Sequence, residues 1–297
     1  MTRQHNGSSH CSCPVTNLTI IGVGLIGGSF ARALREAGCV QHISGFGRNE
    51  DNLKLAVELN VIDDYSLDIK TAVSHADLIF IAAPVGSIKQ IVADMADSLK
   101  DGVVITDAGS TKTSIINAVK DIFGFVPPFF IPGHPIAGTE NSGVSASFAE
   151  LYQNHRVILT PLEDSDPDAL RLVSCLWRAA GAHVVRMEHV HHDRVLAATS
   201  HLPHLLAFSL VDTLATVDQK QEIFDFAAGG FRDFTRIASS DPVMWQDICL
   251  ANKDALLEHI ELFNQDLERI TQAIKNNDAE YLQQVFRRAK STRDDFV

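Results

Sequence analysis

Positive charge is what this chain is short of. It holds 25 Lys and Arg against 37 Asp and Glu, a net charge of −12, and no Lys/Arg run is long enough to track a phosphate backbone. That argues against nucleic acid as a partner. It also means that an anionic substrate must be gripped by a few placed cations, because the overall field repels it. Cysteine is scarce: Cys11, Cys13, Cys39, Cys175 and Cys249 form an odd, scattered set. Cys11-x-Cys13 lacks the second pair that a zinc site needs, and a reducing cytoplasm is the expected setting. Long apolar runs are missing as well. The run at 78–85 falls far short of the roughly 20 residues of a membrane span, so no membrane partner is expected. The opening "MTRQHNGSSHCSCPVT" has no apolar centre and reads as a disordered tail over 1–16, not as a signal peptide.

What remains is ordinary globular composition, 45% hydrophobic and 21% charged over 297 residues, more than one core usually supports. From Leu18, short β-branched runs alternate with amphipathic stretches. "LTIIG" (18–22), "HISGFG" (42–47), "ADLIFIAAP" (76–84) and "GVVITDAGS" (102–110) read as strands, with "RVILTP" (156–161) and "HVVRM" (183–187) as later candidates. Helices are expected at "LIGGSFARALREAG", with Gly38 in the C′ position, at "NEDNLKLAVELN" and at "GSIKQIVADMADSL". Such alternation implies an α/β fold with a doubly wound parallel sheet over 17–187. From about 188 the β signal stops and an all-α domain, 188–297, is expected. "DRVLAATSHLPHLLAFSLVDTLATV" is apolar over most of its circumference, which predicts a helix buried between neighbours. Leu256, Ile260, Phe263, Leu267, Ile270 and Ile274 form a heptad-like seam that suits either its own domain or a partner subunit.

Gly22-x-Gly24-x-x-Gly27 closes the first strand and opens the first helix. Gly22 permits the tight turn, Gly24 lets the backbone approach a pyrophosphate, and Gly27 lets helix and strand pack closely. The N–H groups around Leu25 and Ile26, at the positive end of the helix dipole, then face the phosphates. In the first β-α unit of an alternating chain this points to a dinucleotide. An acid at the end of the second strand accepts from both ribose hydroxyls of NAD. Here that place holds Gly47, followed by Arg48. A guanidinium can clasp a 2′-phosphate or stack on adenine, which favours NADP. NAD stays open, with Glu50 or Asp51 bonding the ribose.

In open α/β sheets the ligand lies beyond the carboxyl ends of the strands. There fall Pro84, the stretch "DAGSTK", and "PGHPIAGTENSG" (132–143). "DAGSTK" brings the hydroxyls of Ser110 and Thr111 and the amine of Lys112 toward the nicotinamide, while Ser110 also suits a helix N-cap. His134, in a proline-flanked loop, is an imidazole held in place whose charge changes near neutral pH, as a general base requires. In "TSHLPH" (199–204), Pro203 kinks an apolar helix and leaves Thr199, Ser200, His201 and His204 needing partners, either a ligand or freed carbonyls. "HVHHD" (189–193) puts adjacent histidines at a helix start, where they do not point at one centre, so no metal is assigned. "GGFRDFTRIASSDPVMW" (229–245) supplies Arg232 and Arg236 to grip a carboxylate, or to pair with Asp233 or Asp241 on the surface.

"GVGLIGGS", "DAGSTK", "GHPIAGTENSG", "SHLPH" and "GGFRDFTRIASSDPVMW" together resemble the prephenate/arogenate (cyclohexadienyl) dehydrogenases of tyrosine biosynthesis, over nearly the whole chain from Leu18. The resemblance implies a Rossmann-type nucleotide domain, a helical dimerisation domain and a homodimer. It also implies NAD(P)-dependent oxidative decarboxylation of prephenate, of arogenate, or of both. His134 matches the catalytic base and Ser110 the serine that bonds the substrate hydroxyl and steadies the imidazole. Thr139 and Glu140 line the site. Ser200 and His204 match positions that face substrate and nicotinamide, and Arg236 matches the arginine that holds a substrate carboxylate. Gly47-Arg48 departs from members that use NAD. The expected helices run almost to Val297, so feedback by tyrosine would act in the active site, not through an appended regulatory domain. Two other readings are a β-hydroxyacid-dehydrogenase-like oxidoreductase, for which Lys253 is the nearest catalytic lysine, and a dinucleotide sensor without turnover.

Overall fold

The computed structural model describes residues 14–218 and 220–296. The tail expectation for 1–13 lies outside the described residues, while Val15 and Thr16 already belong to the first strand. The chain runs β1 (Val15–Ile21), α1 (Leu25–Glu36), β2 (Val40–Phe46), α2 (Glu50–Glu58), β3 (Asp64–Ser66), α3 (Ile69–Val73), β4 (Leu78–Ile81), α4 (Val85–Met95), β5 (Val104–Asp107), α5 (Thr113–Phe123) and β6 (Phe130–Ile131). All six strands are parallel, in the order β3-β2-β1-β4-β5-β6. The central strands are apolar on both faces, because helices cover both. Every residue of β4 and β5 is buried. As expected, α1 ends with Gly38 in the left-handed region, at φ +65°.

One core packs Phe30, Phe80, Tyr152 and Trp177 together, with centroids of Phe30 and Phe80 4.4 Å apart and those of Tyr152 and Trp177 5.0 Å apart. The Tyr152 hydroxyl, inside this apolar cluster, needs an acceptor and finds the carbonyl of Ile26 at 2.6 Å. It thereby ties down the first turn of α1.

Three strands stand apart from the main sheet: β7 (Gly133–Pro135), β8 (Arg156–Leu159) and β9 (His183–Arg186). β7 pairs antiparallel and β9 parallel to β8, with His134 opposite Ile158. The later strand candidates are therefore strands, but of a second sheet. His134 sits on a strand and not on the loop expected for it. Its two-residue neighbourhood is too short and too rich in Gly and Pro to show a period, and only the pairing with β8 makes it β. Helix α6 (Pro167–Ala179) between β8 and β9 starts in the way its sequence dictates, with Asp166 accepting from Asp168 N and Pro167 in the first turn.

Past β9 the described residues hold no further strand. Helices α7 (His189–Leu196), α8 (Leu202–Ala215), α9 (Lys220–Asp225), α10 (Gly229–Thr235), α11 (Pro242–Ala251), α12 (Lys253–Lys275) and α13 (Ala279–Phe296) follow, with a π-helical turn at Ala197–His201 joining α7 to α8. That turn is where Pro203 interrupts the hydrogen-bond ladder. The expectation of a helix buried among its neighbours does not hold: in α8 only Ala207 is buried. The continuous run His189–Ala215 is long and apolar enough to cross a membrane by length and composition alone. The α12 seam divides. Leu256 is buried in its own chain, whereas Phe263, Leu267 and Ile274 are exposed.

Candidate active site

At the end of β1 the three glycines meet three different constraints. Gly22 has φ +94°, and a Cβ there would lie 2.5 Å from the Ala82 carbonyl oxygen. A Cβ on Gly27 would lie 2.2 Å from the Gly22 oxygen and 2.8 Å from Ile20 Cγ2, so helix and strand touch through its missing side chain. Around Gly24 a Cβ would meet nothing within 4 Å. It faces open space, where backbone can approach a ligand. Gly24 is the N-cap of α1 without a side-chain cap. The amides of Leu25, Ile26 and Gly27 therefore lack intrahelical acceptors and suit a pyrophosphate. At the end of β2, Arg48 is exposed. Glu50 is engaged elsewhere, with Tyr65 Oη at 3.0 Å and Lys54 at 3.3 Å. Nothing in the backbone requires glycine at 47, since a Cβ would meet only Leu53 at 3.6 Å or beyond. Pro84 is exposed and caps α4 beside this edge of the sheet.

Beyond β5 the roles expected within "DAGSTK" need correcting. Lys112 does not reach toward a ligand. It is fully buried, with Nζ 2.5 Å from Asp107 Oδ2 and 2.5 Å from the Gly133 carbonyl. Ser110 does not cap α5. It is half-buried and free of hydrogen bonds among the described residues, so its hydroxyl is available to a ligand. The cap comes from the helical half of the chain. Asp193 accepts from Lys112 N and Thr113 N, each at 2.8 Å, through its two carboxylate oxygens.

Asp193 also ends a line of groups that starts at His134. Its Oδ1 lies 2.8 Å from His192 Nδ1, and His192 Nε2 lies 2.9 Å from His134 Nδ1. His134 keeps 8% of its surface exposed, and its ring makes its hydrogen bond among the described residues through Nδ1, not Nε2. Burial, then the neighbouring His192, Lys112 and His201, pushes its basicity well below the usual imidazole range. Burial lowers His192 as well, opposed by its bond to Asp193. Burial alone would raise the Asp193 carboxyl, but the bonds from His192, Lys112 and Thr113 outweigh it and hold the group below its ordinary value. Both rings therefore stand neutral beside an ionised carboxylate. Neither His192 nor Asp193 is marked by the sequence as supporting His134. The adjacency of His192 and Asp193 was visible, but their meeting with position 134, 58 residues away, was not.

The π turn delivers the remaining groups. His204 Nδ1 donates to the Ser200 carbonyl at 2.8 Å, and its ring stacks on Trp245 at 3.7 Å between centroids. Ser200 is half-buried and Thr199 binds back to the Val195 carbonyl. His201 is buried instead, with Nδ1 3.0 Å from Asn252 Nδ2 and Nε2 unpartnered. Burial drops its pKa to about 4. Burial also lowers His204, with the Arg236 charge contributing. Arg236 reaches Glu140 at 3.5 Å, with both side chains substantially exposed. Thr139, next to Glu140, is exposed and its Oγ1 accepts from Asn141 N. The surface pairs weighed for these cations do not form: Arg232 donates to the Ala227 carbonyl and Asp241 caps α11. Electrostatic neighbours thus run from His134 through His201 and His204 to Arg236 and Glu140, across both halves of the chain. Asp247 adds a further link that the sequence did not signal, accepting from Gly86 N at 3.0 Å at the start of α4. Lys253 stands exposed at the start of α12. The two halves of the chain thus supply one neutral imidazole with a free nitrogen, one free hydroxyl and one exposed guanidinium, besides the dinucleotide cradle. That set can move a proton and hold a carboxylate.

Family models and known proteins match the chain over both halves. Residues 30–186 match the family described as prephenate dehydrogenase, nucleotide-binding domain, and residues 188–288 match prephenate dehydrogenase, dimerization domain. A cyclohexadienyl dehydrogenase of Zymomonas mobilis is 39% identical over 279 residues, 93% of this chain and 94% of that one. The solved prephenate dehydrogenase from A. aeolicus, in complex with hydroxyphenyl propionate and NAD+, superposes with a TM-score of 0.89 at 36% identity, covering 96% of this chain and all of that one, 100%. Synechocystis arogenate dehydrogenase is similar at a TM-score of 0.78 and 27% identity, covering 95% of this chain and 100% of its own.

Proposed function

The chain belongs to the prephenate dehydrogenase family, and from that premise we propose that it catalyses NAD(P)-dependent oxidative decarboxylation of prephenate, arogenate or both. When bound, the nicotinamide supplies the acceptor for the hydride lost by the ring carbon that bears the hydroxyl. The chain's residues do the rest. His134 Nε2 removes the proton of that hydroxyl, Ser110 hydrogen-bonds its oxygen, and the ring carboxylate leaves as carbon dioxide when the ring becomes aromatic. Arg236 exchanges Glu140 for a substrate carboxylate, a trade of one acid for another that costs little at an exposed pair. Ser200, His204 and Thr139 line the cleft. The amides of Leu25 and Ile26, with Gly22, Gly24 and Gly27 shaping the turn and Pro84 beside it, hold the cofactor.

The observation that carries this reading is the state of His134: a ring kept uncharged by burial, with one nitrogen anchored and the other open. The test is His134→Asn. Turnover is expected to fall ~10²–10⁴-fold while substrate affinity stays close to the parent's, and equal turnover in variant and parent overturns the assignment. Assaying prephenate and arogenate against NAD and NADP in the four combinations fixes both preferences. Exposed Arg48, engaged Glu50 and the free space at Gly47 support NADP. The open apolar residues of α8 and α12, set against a family dimerization domain, support a homodimer. Sedimentation at twice the chain mass checks the dimer.

A further inference from the structure

The "HVHHD" segment has no part in the chemistry so far assigned, yet the structure brings its last two residues directly behind His134. We propose that His192 and Asp193 are positioning residues that form a proton-ordering relay, fixing which nitrogen of His134 is bare and sharing the charge it acquires in turnover. The inference rests on His134 being the base.

The hydrogen-bond chain has only one consistent assignment of protons. An ionised carboxylate can only accept, so Asp193 Oδ1 must receive a proton from His192 Nδ1, 2.8 Å away. The same carboxylate is already an acceptor for Lys112 N and Thr113 N, which anchors its position and its charge. A neutral His192 with a hydrogen on Nδ1 has a lone pair on Nε2. That lone pair can only accept, so His134 Nδ1 carries the hydrogen across the 2.9 Å contact. A neutral His134 with hydrogen on Nδ1 has its lone pair on Nε2, the atom without a protein partner. The order of atoms, more than any single contact, aims a basic nitrogen at the cleft. Without the chain, a buried imidazole can carry its proton on either nitrogen, and the Nε2–H form cannot act as a base.

Charge follows the same line. The titratable groups that act on His134 are His192 from α7, Lys112 from the β5–α5 loop and His201 from the π turn; Asp107, at the end of β5, is bound to Lys112, and Asp193 to His192. The Lys112 ammonium and the Asp107 carboxylate pair with each other, which leaves the Asp193 carboxylate as one negative charge at the end of the line. When Nε2 takes the hydroxyl proton, the imidazolium cancels it, through two bonds that already point the right way. No proton has to pass to His192 or Asp193. They orient and stabilise, and because Asp193 caps α5 from the other half of the chain, the relay exists only when both halves are docked.

The experiment compares His192→Asn, His192→Gln and His134→Asn in the full-length protein, with nitrogen-15 NMR of the histidines. Asn can keep the N–H to Asp193 while removing the acceptor for His134, so the loop stays capped. Gln returns an amide oxygen near the lost Nε2. For His192→Asn, kcat is expected to fall on the order of 10²-fold with little change in KM, and the low-pH limb of kcat/KM to move to lower pH. His192→Gln is expected to recover most of both. In the parent protein, NMR is expected to find His134 with hydrogen on Nδ1, a result that needs no variant to fold. Parent-like kcat and pH limb in a folded His192→Asn, or an Nε2–H tautomer in the parent, overturns the relay. If His134→Asn itself keeps full turnover, the base assignment fails; if only that variant is inactive while His192→Asn is normal, the relay alone fails.

Discussion

Replacing Lys112 with Met removes a charge from the interior while keeping most of the side chain's apolar volume. Lys112 and Asp107 are both completely buried, and the ammonium is held by the Asp107 carboxylate and the Gly133 carbonyl at 2.5 Å each. In the variant, Asp107 keeps only the N–H groups of Gly109, at 2.8 Å, and of Gly133, at 3.2 Å. Removing one partner of a buried pair strands the other charge, which costs about 3–5 kcal/mol. Burial also lowers the basicity of Lys112 itself, so the intact pair contributes much less net stability than its halving costs. The double variant Lys112→Met/Asp107→Asn is therefore expected to lose far less than the two single variants added together. Denaturant unfolding followed by the fluorescence of Trp177, fully buried in the same half of the chain, gives all four corners of the cycle. A single-variant loss below about 1 kcal/mol, or strict additivity, refutes the account. Activity supplies a second reading. Gly133 precedes the base, and an imidazole displaced by about 1 Å is expected to cost on the order of 10²-fold in kcat.

Three further outcomes are expected. Arg236→Gln will raise KM by roughly 10–100-fold, the worth of one charge-assisted bond, with kcat changed much less; an unchanged KM moves the clamp to Arg232. Arg48→Ala will weaken NADP by a similar ~10–100-fold factor and NAD far less, and equal losses in fluorescence titrations would assign Arg48 to adenine stacking. His201 has a folded pKa of about 4, below its unfolded value near 6.5, so the unfolded chain binds more protons between the two and stability falls as pH drops through that window. The full effect is about 3 kcal/mol, and the pH curve of His201→Gln is expected to be flatter by that amount between pH 6.5 and 4; parallel curves would refute it.

The division between sequence and structure is physical. The alternation of apolar runs, the glycine triplet, the end of α1 at Gly38 and the loss of β signal after position 187 depend on residues within a few positions of one another. The sequence alone therefore determined the α/β class, the dinucleotide cradle and the helical second half. It also drew attention to His134 and His204, because a polar residue locked between Gly and Pro, or set in an apolar helix, announces itself locally, whereas the roles proposed for Ser110 and Arg236 rest on the family resemblance. Tertiary structure decided what each of them touches. Lys112 turned inward because Asp107 and the Gly133 carbonyl, 21 residues on, were there to satisfy it. The strand that carries His134 exists only because β8 pairs with it. Asp193 could be recognised as the cap of α5 only once the chain had folded to bring it to Lys112, 81 positions earlier. The apolar flank of α8 reads the same whether a core or a second subunit covers it, since burial is a property of neighbours and not of the helix.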